Sequence, residues 1–169
     1  NYNIRVINLS LATGARESWK KDPLCIAVRN AAAMGITVVA SAGNYGSFFG
    51  TQVYGTITSP ANDPSVITVG SAMSKDTTTR ADDAVNAFSS RGPTRSGERN
   101  GSGVAVYDNL LKPDLVAPGN RVLAAAATSA NATTPDWNTL AKVNTVLTQN
   151  LAFTQAYRET QMYLSGTSV

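Results

Sequence analysis

Residues 3–42 constrain the fold more tightly than any other part of the chain. Two short apolar runs, 3–12 (NIRVINLSLA) and 36–42 (ITVVASA), bracket a segment of different periodicity. The runs are too continuous in Ile, Val and Leu for half-exposed strands and read as buried ones. Between them, Asp22-Pro23 supplies an N-cap followed by proline at the first helical position. Leu24, Ala27, Val28, Ala31 and Ala32 then recur at helical spacing, and Gly35 can take the left-handed conformation that ends a helix. Strand, helix, strand in this order predicts a parallel pair joined by a right-handed crossover. The fold class expected is therefore α/β, a mostly parallel sheet with flanking helices. In open parallel sheets ligands bind beyond the carboxyl ends of the strands, so the turn Gly43-Asn44-Tyr45-Gly46 is a candidate site.

Further along, a loop is expected through Phe48, Phe49 and Tyr54 to Ser59-Pro60, then 66–73 (VITVGSAM) reads as another strand, 76–83 as a polar surface segment and 84–89 as a brief strand. Arg91-Gly92-Pro93 marks a turn, and the Gly- and Ser-rich stretch 95–108 is expected to be a mobile loop. Residues 112–119 (KPDLVAPG) place a short apolar core between prolines, which suits a strand ending in a tight turn, and 121–127 continue as a strand. From 136 to about 158, Leu140, Val143, Val146 or Leu147, Leu151 and Ala152 keep roughly helical spacing, which predicts a mostly helical segment.

Composition removes several function classes. With 43% apolar and 15% charged residues, the 169-residue chain buries a core of about one domain. Its net charge of +3 is spread along the sequence, with Lys20-Lys21 the only adjacent basic pair of note, which is too thin for a nucleic-acid footprint. No run approaches the roughly 20 apolar residues of a membrane helix. Cys25, the single cysteine, reads as a buried thiol and rules out an internal disulfide. The chain has 0 histidines, so the commonest general base is missing from it.

Taken alone, Gly166-Thr167-Ser168 is a polar turn and Asn44 a turn asparagine. A serine hydroxyl becomes a nucleophile only with a base to take its proton and donors to hold the oxyanion. The strings NLSL, ASAGN, SPANDPSVITVGS, FSSRGP, KPDLVAPG and SGTS nevertheless occur in that order. Their succession, from about Val6 to Val169, resembles the catalytic domain of the subtilisin-like serine peptidases. The resemblance implies that Ser168 is the nucleophile and Asn44 the oxyanion donor. It implies that Ser10, Leu11 and Ala12 form the edge that pairs with an extended polypeptide substrate, and that Ser41, Ala42 and Gly43 wall the pocket for the residue before the cut bond. It also leads us to expect a cis Ser59-Pro60 bond.

The same resemblance marks departures. The family's catalytic aspartate and histidine precede the serine, and a buried helix follows it, so the chain is expected to be an incomplete domain, 1–169, cut at the nucleophile. Residues 124–162 read as an insertion. The parent protein is expected to be an extracellular endopeptidase acting through an acyl-enzyme, and this chain alone to be inactive. Its partners would be the polypeptide substrate and the rest of its own domain, with self-association of the isolated chain. No nucleic acid, membrane or cofactor is assigned. Some members bind a cation in the region of Ala61, Asp63, Val66 and Asp114, but so few carboxylates make a poor calcium site, and no metal is assigned. Two other classes compete with this reading. Nucleotide binding fails on AGNYG, which lacks the G-x-G-x-x-G spacing. A non-catalytic peptide-binding domain differs only in whether the parent holds the aspartate and histidine.

Overall fold

The computed structural model describes residues 2–125 and 161–169. Along the chain they form β1 (Val6–Leu9), α1 (Pro23–Ala33), β2 (Thr37–Ser41), β3 (Ser47–Phe48), β4 (Thr51–Gln52), β5 (Ile67–Met73), β6 (Ala84–Val85), β7 (Gly97–Arg99), β8 (Ala105–Tyr107), β9 (Leu115–Pro118), β10 (Val122–Ala125) and β11 (Gln161–Leu164). They fall into two compact units, Asn1–Asn120 with Gly166–Val169, and Arg121–Ser165.

In the larger unit β1, β2, β5 and β9 run parallel, β2 pairing with β1 and β5, and β5 with β9. Short β6 adds antiparallel at the end of β5. This is the mostly parallel sheet expected, and α1 makes its crossover. The helix begins as the sequence indicates: the Asp22 carboxylate accepts from the Leu24 and Cys25 N–H groups at 2.8 and 3.3 Å. It ends at Gly35, whose φ of 81° lies in the left-handed region. Val28 of α1, Val38 and Ala40 of β2, and Ala42, Ile57, Ala61 and Val66 beyond them form the core, with Leu9 and Ala31 packed against it.

Three expectations change. The run 3–12 is not a fully buried strand: only Val6–Leu9 is β, and Val6 is 60% exposed. Among the described residues β1 pairs on one side only, so its apolar side chains line a sheet margin rather than a sheet centre. Residues 95–108 are not a featureless loop but the hairpin β7–β8, its turn closed by Asn100 Oδ1 accepting from Ser102 N (3.0 Å) and Val104 N (2.9 Å). The hairpin is tied down at Asp108, which accepts from Ser18 Oγ and Ser96 Oγ, both at 2.8 Å. The segment after Asn44, expected as loop, forms the small hairpin β3–β4.

In the smaller unit β10 pairs antiparallel with β11, and the Arg121 guanidinium lies 5.3 Å from the Tyr163 ring centre. The helix expected over 136–158, and most of the expected insertion 124–162, lie outside the described residues. The Ser59-Pro60 bond is cis, as expected, and so are Gly92-Pro93 and Lys112-Pro113.

Candidate active site

The end of β2 builds the first wall. Ala42 N donates to Val69 O at 2.9 Å, which carries the chain past Ser41 along the sheet before it turns at Gly43. Gly43 has a φ of 105°, and a Cβ there would lie 2.6 Å from Thr58 Cγ2 and 2.9 Å from Ser90 Oγ. Both facts demand glycine. Thr58 is buried and donates through Oγ1 to Ala42 O at 3.0 Å, so it backs the Ser41-Ala42-Gly43 segment. Sequence reasoning missed Thr58, because its partner stands 16 residues away in a different element.

The exposed strip Ser10, Leu11 and Ala12 leaves β1 beside this wall. Ser41 Oγ donates to Leu11 O at 3.4 Å, and Thr13 and Ser59 exchange backbone bonds of 3.0 and 2.9 Å. Ser10–Ala12, Ser41–Gly43 and Thr58 thus form one neighbourhood at the carboxyl end of β2.

The chain end reaches the same place. Gly166 N donates to Gly119 O at 2.9 Å, fixing the last turn just past β9. Thr167 is then buried and Ser168 exposed. Gly43 N donates to Thr167 Oγ1 at 3.1 Å, while Thr167 N and Thr167 Oγ1 donate to Asn44 Oδ1 at 2.9 and 3.0 Å. A backbone N–H can only donate, so the amide atom of Asn44 facing Thr167 is the oxygen. Its NH₂ group is therefore the other amide atom, and Nδ2 lies 3.4 Å from where a Cβ on Gly166 would stand, beside the Gly-Thr-Ser turn. The structure brings Asn44 and the Gly-Thr-Ser turn together through Thr167, a residue the sequence reading quoted only as part of a motif.

The region considered for a cation is filled by the protein's own donors. The Lys112 side chain is 5% exposed, and its ammonium donates to Val66 O and Asp114 Oδ2, both at 2.7 Å. Asp114 also accepts from Thr68 N at 2.7 Å. Burial pushes the Asp114 carboxyl upward, but the bonds from Lys112 and Thr68 outweigh it and hold the group below the usual carboxylate range. Asp63, fully buried, takes Arg29 at 3.1 Å and both Ser65 N and Ser65 Oγ, while Ala61 O takes Thr68 Oγ1 at 2.6 Å. Ala61 O, Val66 O, both Asp63 carboxylate oxygens and Asp114 Oδ2 are thus already matched to donors, a set that leaves too few free oxygens to coordinate a metal ion. Cys25 is also remote from chemistry: buried, bonded to Asn62 Oδ1 at 3.1 Å, and pushed by burial to a pKa of about 12.

The model of the subtilase family, Peptidase_S8, matches residues 1–169. Serine protease AprX of Bacillus subtilis (strain 168) is 37% identical over 122 residues, covering 71% of this chain and 24% of that protein. Among solved structures, the S41 psychrophilic protease aligns with a TM-score of 0.52 at 23% identity, over 96% of this chain and 38% of its own. Sphericase gives a TM-score of 0.52 at 22% identity, over 96% and 37%. These likenesses support the fold, and the chain spans well under half the length of each relative.

Proposed function

This chain belongs to the subtilase family of serine peptidases, and from that premise we propose that it forms the nucleophile-bearing part of a serine endopeptidase. The observation that carries the reading is the Thr167 clamp. It holds the Asn44 amide by its oxygen and leaves the NH₂ beside the turn that carries Ser168, where it can face developing charge.

In the proposed reaction an extended polypeptide lies along Ser10, Leu11 and Ala12 as an added strand, with one side chain between that strip and Ser41, Ala42 and Gly43. Ser168 Oγ attacks the scissile carbonyl carbon and gives its proton to a base. The carbonyl electron pair moves onto oxygen, where the Asn44 NH₂ and the Ser168 backbone N–H stabilise it. Collapse breaks the C–N bond, the amine takes the proton from the base, and an ester remains on Ser168. Water then hydrolyses the ester by the same steps in reverse order. The chain contains 0 histidines, so the base and its orienting carboxylate belong to the rest of the parent protein. The Lys112 ammonium serves as the internal cation of the 61–66 segment, in place of a metal. Subtilases are commonly secreted, and we extend that location to this protein; among the described residues no helix is long and apolar enough to cross a membrane.

The test uses the full-length protein and a fluorophosphonate probe. Labelling at Ser168, with simultaneous loss of peptide cleavage and absence of both in Ser168→Ala, is the expected result. Peptide binding without labelling or cleavage would instead assign a non-catalytic peptide-binding domain.

A further inference from the structure

The hairpin β3–β4 follows Asn44 directly and has an unusual tip. Its strands pair Ser47 with Gln52 and Phe48 with Thr51, so Phe49 and Gly50 form a two-residue turn. Both have positive φ, 47° and 77°. Such turns favour Asn-Gly, and the left-handed region disfavours a bulky side chain. Phe49 is nevertheless there, 94% exposed, with its ring edge-on to Phe48 at 4.6 Å between centres. Phe48 and nearby Tyr54 are each 67% exposed. Neither packing nor backbone preference within this unit accounts for aromatic residues at the tip.

The base of the hairpin is rigid. Gly46 N donates to Phe88 O at 2.8 Å, Val53 N donates to Gly46 O at 2.9 Å, and Tyr45 N donates to Ser90 Oγ at 3.1 Å. A Cβ on Gly46 would lie 1.9 Å from Ser89 O, so the backbones meet without room for a side chain. A pinned hairpin therefore projects two aromatic rings from the turn that holds Asn44. Phe48 stands four positions after Asn44, which places its Cα within about 14 Å of the Asn44 Cα, or about four residues of extended peptide.

We propose that Phe48 and Phe49 form an accessory substrate contact that binds an apolar side chain of the polypeptide a few residues from the cut bond. The contact follows Asn44 directly in the chain, faces solvent and is pinned at its base, which suits a chain that must be gripped beyond one pocket. This rests on the peptidase reading above.

The test compares the full-length protein with Phe48→Thr/Phe49→Asn, a pair of substitutions that retains strand preference at the first position and relieves the turn at the second. Two peptide substrates are used: a short one ending near the cut bond, and the same sequence extended on both sides by Leu and Phe. The expected result is about a tenfold loss of kcat/KM on the extended peptide alone, with the short peptide and fluorophosphonate labelling of Ser168 unchanged. Equal loss on both peptides, or on neither, overturns the proposal. So does a lower melting temperature of the double variant, which would mean the rings pack inside the parent. Should Ser168 prove unreactive and neither peptide be cut, the peptidase reading falls. Fluorescence anisotropy of the labelled extended peptide then decides: about tenfold weaker binding by the double variant supports the contact, and equal binding overturns it.

Discussion

At the residue scale Thr167 has the most exposed consequence. Its hydroxyl accepts from Gly43 N and donates to Asn44 Oδ1, so it joins two turns that lie more than a hundred positions apart in sequence. Thr167→Val keeps the shape but leaves the Gly43 N–H without its acceptor and Asn44 with one donor fewer. We expect kcat of the full-length enzyme to fall about tenfold to a hundredfold with KM nearly unchanged, because the loss appears only where charge develops. Thr167→Ser should restore most of it. A KM effect alone would show that Thr167 shapes the pocket and does not orient Asn44. Lys112 and Asp114 give a second test at this scale. The Asp114 folded pKa is depressed, so its contribution is fully present above the unfolded value of about 4 and is lost as pH falls through the lower folded value. Urea midpoints between pH 5 and 2 should therefore fall less steeply for Asp114→Asn than for the unchanged chain. Lys112→Met leaves Val66 O without its donor and the partly exposed Asp114 carboxylate without its cation, and should lower the urea midpoint by the equivalent of about 1 kcal/mol. Cys25 behaves in the opposite sense: its folded pKa of about 12 exceeds the unfolded value, so the thiol favours unfolding as pH rises above about 8.5. Below that pH an alkylating reagent should modify Cys25 only in denaturant.

At the element scale the βαβ unit was legible because each signal was local. Asp22-Pro23, the helical spacing to Ala32, and Gly35 all act within one turn of where they stand. The candidate site was legible as strings whose order matched a family, but not as geometry: Thr58 backs Ala42 from a different segment, and the Thr167 bonds close only in three dimensions. The two hairpins were illegible for a different reason. Strands of two and three residues, Ser47–Phe48 and Gly97–Arg99, are too short to show a period. What holds the β7–β8 hairpin is Asp108, whose carboxylate gathers Ser18 Oγ, Ser96 Oγ and Trp19 N from two segments. Asp108→Ala leaves the buried Ser18 and Ser96 hydroxyls without this acceptor and should cost about 2 kcal/mol. Limited trypsin digestion should then cut first at Arg95 and Arg99. Unchanged digestion would mean the hairpin is held by its own turn.

At the scale of the whole molecule the sheet decides how the isolated chain behaves. Ile4 and Val6 at the β1 margin are 57% and 60% exposed, and Val85, Leu115 and Val116 are each more than 40% exposed. Apolar residues concentrated on sheet strands are a surface that water does not favour, unlike single exposed leucines scattered on loops. The strip Ser10–Ala12, Asn44 and the Gly-Thr-Ser turn lie past β1, β2 and β9 of this one sheet, so whatever covers the sheet would also steady the proposed site. We expect the 169-residue chain alone to bind a hydrophobic dye and to elute from a sizing column with light-scattering masses above the 17.7 kDa of one copy. With 0 histidines it should also leave a fluorophosphonate unreacted, whereas the full-length protein reacts. Adding the remainder of the parent domain as a separate polypeptide should reduce dye binding and restore labelling of Ser168 together, since both depend on one surface. A soluble monomer that binds no dye would break that link, and the exposed strands would then be tolerated by the chain on its own.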